Sequence, residues 1–343
     1  MDTVTVMGCD PHLDTISVSV MDLVGQELAA VTVSNDRDGW CRAAELAHRM
    51  GVRKVGIEGA SGYGVNLSRV MSGIGFEVLE IPTRLTARHR RVDGAGKTDP
   101  GDARTIARTV TAGEGHRWAD TPNLETIRLL VSRRDQLIKT QTGDINYLRS
   151  VLADIAPHLA ATLGRVRSRR RLTELANLEM NGPSPYQQQA LQLIADTAHD
   201  CIQRLEQIRR IETELDTILP PVGRQMIDQI PGCGLITATQ ILAQLAGTTR
   251  TETDARFAAW SGIAPLDASS GRQQRHRLNT GGNRQLNRAI HTIVTTQARH
   301  HGQAHHYITR RMSEGKTRKE AIRAAKRHVA RNVWKLLRNH QLT

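Results

Sequence analysis

Four carboxylates are spaced so that they could act together. Asp10 closes one apolar run and Glu58 closes another, while Asp99 and Asp102 stand three apart in a helix-patterned stretch. A spacing of three puts two side chains on one helix face. Four carboxylates brought to one point repel, and they stay ionised only with cations between them. Ligands that are all oxygen select a hard ion, Mg2+. A pair of such ions flanking a phosphodiester would stabilise the attacking and the leaving oxygen alike. Each acid taken singly has an ordinary use, Asp99 and Asp102 as helix N-cap and first-turn residues and Asp10 as a turn residue. The metal reading rests on all four positions coinciding.

Whether the acids converge depends on the elements that carry them. Residues 3–9, 14–21 and 27–33 read as strands, the second with polar–apolar alternation. Residues 36–50 read as a helix with Trp40, Ala43, Leu46 and Ala47 on one face. A strand over 53–57, a helix over 63–74, a strand over 76–81 ended by Pro82, and a helix over 99–112 complete a βββαβαβα order. A meander followed by alternating helices and strands predicts a mixed sheet covered on both faces, the α/β ribonuclease H-like order. Its first and fourth strands are neighbours, so Asp10, Glu58 and the start of the last helix can meet. An actin-like or sugar-kinase ATPase shares this strand order but needs a Gly- and Thr-rich phosphate loop after the first strand. Here Asp10 is followed by Pro11-His12-Leu13-Asp14.

The rest of the chain reads as helical. Residues 123–153 form one long helix. After Ser184-Pro185, the residues Leu191, Ile194, Ala198, Ile202, Leu205, Ile208, Leu215 and Ile218 recur three or four apart, as in an antiparallel coiled-coil hairpin. Pro220-Pro221 ends it. Ile230-Pro231-Gly232-Cys233-Gly234 before an apolar helix resembles a helix–hairpin–helix, whose glycines Gly232 and Gly234 let backbone N–H groups approach a phosphate. Helices follow near 253–261, 282–299 and 317–338, the last with a capping box, Thr317 and Glu320. Three domains are expected: 1–120 ribonuclease H-like, 121–222 coiled coil, and 223–343 mainly helical.

Of the 343 residues, 47 are Lys or Arg and 34 Asp or Glu, but the excess is local. Residues 270–343 hold 17 basic residues against two acids, Glu314 and Glu320, whereas the preceding 269 are slightly acidic. A concentrated basic region is the footprint of a polyanion, because each neutralised phosphate releases counterions. Arg323, Lys326, Arg327 and Arg331 on the last helix are the expected contacts. With ten Phe, Trp and Tyr residues in all, an extended base-stacking platform is excluded. No apolar run is long enough to span a membrane, no signal-peptide pattern is present, and Cys9, Cys41, Cys201 and Cys233 lie far apart with no CxxC. A cytoplasmic protein without structural zinc or disulfides is expected. His300, His301, His305 and His306 read as a solvated or RNA-facing patch.

Several segments match a known pattern. Gly8-Cys9-Asp10, Gly56-Ile57-Glu58-Gly59-Ala60-Ser61-Gly62-Tyr63 and Lys97-Thr98-Asp99-Pro100-Gly101-Asp102-Ala103 resemble the DEDD motif of a group of insertion-sequence transposases related to the Piv DNA invertases. Ile230-Pro231-Gly232-Cys233-Gly234, Phe257-Ala258-Ala259-Trp260-Ser261-Gly262-Ile263-Ala264-Pro265 and Ser269-Ser270-Gly271 resemble that group's transposase domain. The resemblance implies a RuvC-like domain with Asp10, Glu58, Asp99 and Asp102 as metal-binding acids and Ser270 as a nucleophile that forms a serine–DNA link. It also implies donor and target DNA, a structured guide RNA encoded by the element, and dimers that pair into tetramers. Arg272, Arg275 and Arg277 would neutralise the transition-state phosphate, and Arg284 and Arg288 continue the basic character. Where relatives carry a Ser-Lys-x-Gly segment, this chain has Gly281-Gly282-Asn283. Two other readings fit the same residues: a ribonuclease H-like nuclease for branched DNA that uses metal-activated water, and a nucleic-acid-binding protein without catalysis.

Overall fold

A computed structural model describes residues 4–340 except 94–98, 158–167, 180–183, 248–251, 265, 268–275, 278, 280 and 300–301; for 90–93, 99–100, 266–267, 276–277 and 303 it describes the backbone alone. The chain divides into two compact units, residues 1–125 with 229–232 and 244–343, and residues 126–228 with 233–243.

The first unit opens with a meander of β1 (Thr5–Pro11), β2 (Thr15–Asp22) and β3 (Glu27–Ser34). Asp22 holds the turn after β2 by accepting from the Val24 and Gln26 N–H groups. Helix α1 (Arg37–Arg49) starts where Asp36 accepts from the Gly39 N–H. Strand β4 (Val52–Ile57), helix α2 (Val65–Gly73) and strand β5 (Glu77–Glu80) follow. Then come α3 (Thr83–Asp93), α4 (Asp99–Thr111) and a two-residue strand β6 (His116–Arg117). The sheet order is β3-β2-β1-β4-β5-β6, with β1 antiparallel to β2 and parallel to β4. This is the mixed ribonuclease H-like sheet that the sequence predicts. Two elements are additions to that reading. The α3 segment, TRLTARHRRVD, has too few apolar residues to show a helical stripe, and β6 is too short to show a period.

Both faces of the sheet are covered. Met7, Cys9, Val55 and Ile57 pack with Ala43 and Ala47 of α1 and Leu67 and Met71 of α2. Val6, Met21, Leu79 and Ile81 pack on the other face with Ile106, Ala107 and Val110 of α4. On the α4 face two glycines sit side by side, Gly8 of β1 opposite Gly56 of β4. A Cβ on Gly8 would lie 2.3 Å from the Ala103 carbonyl oxygen and from the Ala107 nitrogen, and one on Gly56 would lie 2.3 Å from Val110 Cγ2. Space, not backbone conformation, requires glycine here.

In the second unit α5 (Pro122–Ile155) and α7 (Pro185–Thr217) run antiparallel. Arg134 pairs with Glu212, Asp144 with Arg204, and Asp154 with the Tyr186 hydroxyl. The buried stripe Ile145, Leu148 and Leu152 faces Ile194, Ala198 and Cys201. A short helix, α6 (Arg169–Ala176), adds Leu172 and Leu175 to that core, so three helices close it where the apolar stripe had suggested two. Helices α8 (Pro221–Gln229) and α9 (Leu235–Leu245) flank the Pro231-Gly232 turn, and Gly223 of α8 leaves room for Leu219 and Leu242.

The C-terminal part of the first unit comprises α10 (Asp254–Trp260), the strand pair β7 (Leu266–Asp267) and β8 (His276–Arg277), and α11 (Arg284–Arg299), α12 (Gln303–Ser313) and α13 (Arg318–Asn339). The Thr317–Glu320 capping box is formed. Among the described residues no helix is long and apolar enough to cross a membrane.

The glycine pair gives a direct test. Gly8→Ala would force α4 off the sheet, at a cost of about 1–3 kcal/mol as for an overpacked core. Gly73→Ala, with nothing within 4 Å of the new Cβ, should be neutral or slightly stabilising. Urea unfolding of the two variants checks this, and equal stabilities would refute the tight helix–sheet contact.

Candidate active site

Strands β1 and β4 run in register, Gly8 beside Gly56 and Cys9 beside Ile57, and the Glu58 N–H donates to the Cys9 carbonyl at 3.2 Å. Side chains alternate along a strand, so Asp10 points to the face of Gly8 and Glu58 to the face of Gly56. Along that face Val6 meets Ile106 and Val110, while Gly8 lies under Ala103 and Ala107. The next residue on the face, Asp10, therefore falls level with the first turn of α4, where Asp99 and Asp102 stand. The structure thus brings Asp10, Glu58 and the helix start to one end of the two central parallel strands.

The carboxylates differ in surroundings. Asp10 and Asp102 are buried, 9% and 7% exposed, and Glu58 is half-buried. The Thr86 hydroxyl of α3 lies 2.9 Å from Glu58 Oε2, and Thr86 is fully buried. Thr86 is the site residue that sequence reasoning missed, because its helix shows no apolar stripe. His12 Nε2 lies 3.4 Å from Asp10 Oδ2. Cys9 points to the opposite face, where burial first and the Asp10 charge second push its thiol up, so it stays protonated. The Asp99 side chain lies outside the described residues. Among those described, no group of three or more His, Cys, Asp or Glu is placed to hold a metal ion. The donors that Asp10, Glu58 and Asp102 offer are carboxylate oxygens, the chemistry that a hard divalent cation takes.

Ser269, Ser270, Arg272 and Arg275 lie outside the described residues, and for Arg277 only its place in β8 is described. The base of their segment is well defined. Gly262, at φ +65°, meets Gly282 so closely that a Cβ on Gly282 would lie 2.3 Å from the Gly262 Cα. The Asn283 N–H donates to the Trp260 carbonyl at 2.6 Å. The Asn287 amide donates to the carbonyls of Ser261 and Gly262 at 2.8 and 3.1 Å, and its oxygen accepts from Lys326.

That last contact changes the role read for Lys326. It is 6% exposed and belongs to the interior, not to a phosphate-facing surface. Arg327 and Arg331 both bind Asp254 at the start of α10. Burial tends to raise the Asp254 carboxyl, but the hydrogen bonds from these two arginines overcome it and hold the group below the usual range. Arg323 lies 4.0 Å from Glu320 and is 40% exposed; Arg284 and Arg288 are exposed on α11. The glycines of the α8–α9 turn also have local uses. Gly232, at φ +80°, packs on the Ile293 carbonyl and Thr296, beside a hydrogen bond from Gln297 to the Pro231 carbonyl. The Gly234 N–H donates to Thr237 Oγ1 at 2.9 Å. Of the histidine cluster, His300 and His301 lie outside the described residues, and His305 contacts the Ala298 carbonyl through Nδ1 at 2.9 Å.

The sheet order defines the N-terminal part as a ribonuclease H-like domain. Comparison with known proteins agrees. Residues 7–157 match the IS110-type DEDD transposase model, and residues 224–309 match a model described as "Transposase IS116/IS110/IS902 family". The chain belongs to the IS110/IS116 family of DEDD transposases. It is 24% identical over 366 residues to a 44.8 kDa protein of insertion element IS116 from Streptomyces clavuligerus, covering 94% of this chain and 92% of that one. It is also 24% identical over 280 residues to the transposase of insertion sequence element IS1111A from Coxiella burnetii, covering 80% and 72%. Among solved structures, T. thermophilus RuvC in complex with a Holliday junction substrate aligns with 33% of this chain and 99% of its own, at 15% identity and a TM-score of 0.28.

Lys326 supplies a test at this level. Burial, with the nearby Arg323 charge adding to it, lowers its ammonium from 10.5 to about 8. Between those values the unfolded chain binds the extra proton, so stability rises with pH from about 8 to 10.5, by at most about 3 kcal/mol. Denaturation of the wild type and Lys326→Met across this window should show the rise in the wild type alone. Parallel curves would refute the lowering of the Lys326 ammonium by burial.

Proposed function

We propose that this protein is a DNA transposase that cuts and rejoins strands at the carboxylate site, with Ser270 as the nucleophile. The observation that carries the reading is the parallel register of β1 and β4, which ends with Cys9 beside Ile57, so that Asp10 and Glu58 both follow at the same end of the sheet. The two family matches, one over each end of the chain, supply the remaining support. Asp10, Glu58, Asp99 and Asp102 would hold divalent metal, taken here as two Mg2+ ions. When bound, the metal supplies charge stabilisation for the oxygens around the scissile phosphorus.

Ser270 Oγ attacks phosphorus and gives up its proton, while the bond from phosphorus to a sugar oxygen breaks and that oxygen takes up a proton. The phosphoserine link conserves the energy of the broken bond, so a second sugar hydroxyl can displace Ser270 without ATP. A serine hydroxyl needs activation to attack, and Arg272, Arg275 and Arg277 would stabilise the charge that develops on the phosphoryl oxygens. Exposed Arg284 and Arg288, with half-buried Arg323, would hold the flanking backbone. The family resemblance further assigns donor and target DNA, a guide RNA from the same element, and a homodimer that pairs into a tetramer. Sequencing the RNA that copurifies with the protein from cells carrying the whole element tests the guide.

Three variants separate the roles. Asp102→Asn should abolish strand cleavage and leave folding and nucleic-acid binding intact; full cleavage by this variant would refute the role of the acids. Denaturant quenching during cleavage should trap a protein–DNA adduct in the wild type and in Ser269→Ala, and none in Ser270→Ala. Cleavage by Ser270→Ala at the wild-type rate would mean that water is the nucleophile.

A further inference from the structure

The two loops that leave the acid-bearing strands carry exposed apolar side chains. Leu13, three residues after Asp10, is 68% exposed, and Tyr63, five residues after Glu58, is 62% exposed. In a chain with ten aromatic residues, one of them stands in water on the loop that follows Glu58.

The backbone beneath these side chains is held firmly. Asn35 Nδ2 donates to the His12 carbonyl at 2.7 Å and to the Tyr63 carbonyl at 3.1 Å, so one amide clasps both loops. Asn35 is itself fixed: its side-chain oxygen accepts from Trp40 Nε1 at 2.8 Å, and its N–H donates to the Asp14 carbonyl at 2.8 Å. The Gly59–Gly64 turn is closed by the N–H groups of Gly62 and Gly64, which donate to the Gly59 carbonyl at 2.8 and 3.1 Å. Gly64 presses on Ile57 and Pro11, where a Cβ would come within 2.7 and 3.0 Å of their side chains. Gly247 closes on Ser61 from another side, leaving 1.9 Å between its missing Cβ and Ser61 Oγ.

We infer that Tyr63 is a nucleobase contact at the mouth of the carboxylate site, stacking on an unpaired base beside the phosphate to be cut. The inference rests on the reading of Asp10, Glu58 and Asp102 as the cleaving acids. A flat, exposed ring on a fixed loop binds another ring with little ordering cost. Every base has a π-face, so one such contact suits a protein that must hold many sequences. A phosphate seated at Asp10 and Glu58 brings its own nucleotides within reach of the loops that begin at those residues. The scarcity of aromatics excludes an extended platform, not a single stacking point.

The test uses the full-length protein with Asp102→Asn, so that binding is read without cleavage, and a single-stranded oligodeoxynucleotide carrying 5-iodouracil at one position. Irradiation should crosslink the base to the peptide that contains Tyr63. Tyr63→Ala should weaken binding about tenfold, the loss of one stacked base. Its salt dependence should stay unchanged because no phosphate contact is removed. Tyr63→Phe, which keeps the ring, should bind as the parent does. Crosslinks that map elsewhere, together with wild-type affinity for Tyr63→Ala, would overturn the proposal, as would a Tyr63→Ala effect confined to self-association of the protein. Failure of the acids themselves would appear separately, as cleavage by Asp102→Asn.

Discussion

Everything at the candidate site depends on one contact, the seating of α4 on paired glycines. Gly8 and Gly56 lie side by side in neighbouring parallel strands, and their missing side chains let the helix backbone touch the strand backbone. Asp102 can reach the end of the sheet because the helix that carries it is so close. The glycines and the acids also share a face of their strands, two residues apart. The same alternation that clears space for the helix thus aims Asp10 and Glu58 at its first turn. A methyl group on either glycine would move one member of the set away from the others.

Around that contact the charges are handled in two ways. Asp10 and Asp102 are buried at the end of the sheet, and the half-buried Glu58 is met by the hydroxyl of Thr86. In the C-terminal region, by contrast, several basic residues of a strongly basic segment are engaged by partners within the chain. Arg327 and Arg331 are spent on Asp254, and Lys326 on Asn287. Most of the segment's described cations nevertheless stay at the surface, Arg284, Arg288, Lys319 and Lys335 among them, so only a few are withdrawn from a polyanion partner.

The Asn287–Lys326 pair gives those internal contacts a use. It joins the carbonyls after α10 to the helix α13, while Gly262 and Gly282 close the gap between the two ends of the segment that carries Ser270. A segment whose ends rest on packed helices is held with more precision than one whose ends are mobile. Asn35 treats the loops after Asp10 and Glu58 in a similar way, with one side-chain amide bonded to carbonyls of two connections.

Much of this was legible from residue order alone. The strand order, the acids at strand ends, the long helices of the middle region and the Thr317 capping box all follow from periodicity and local hydrogen-bonding chemistry, which act over a few residues. The sequence could not reveal α3 or the hydroxyl that Thr86 brings to Glu58, because a helix without an apolar stripe has no local signature. Nor could it separate Lys326 from its basic neighbours, since burial is fixed by what packs on a helix and not by the helix itself. Gly232 shows the same limit: its type signalled a turn, and only the packing of α11 revealed that a side chain there would press on the Ile293 carbonyl and Thr296. Short-range physics determined which elements form and where the acids sit along them; long-range packing decided which face of the sheet α4 covers and which cations are buried.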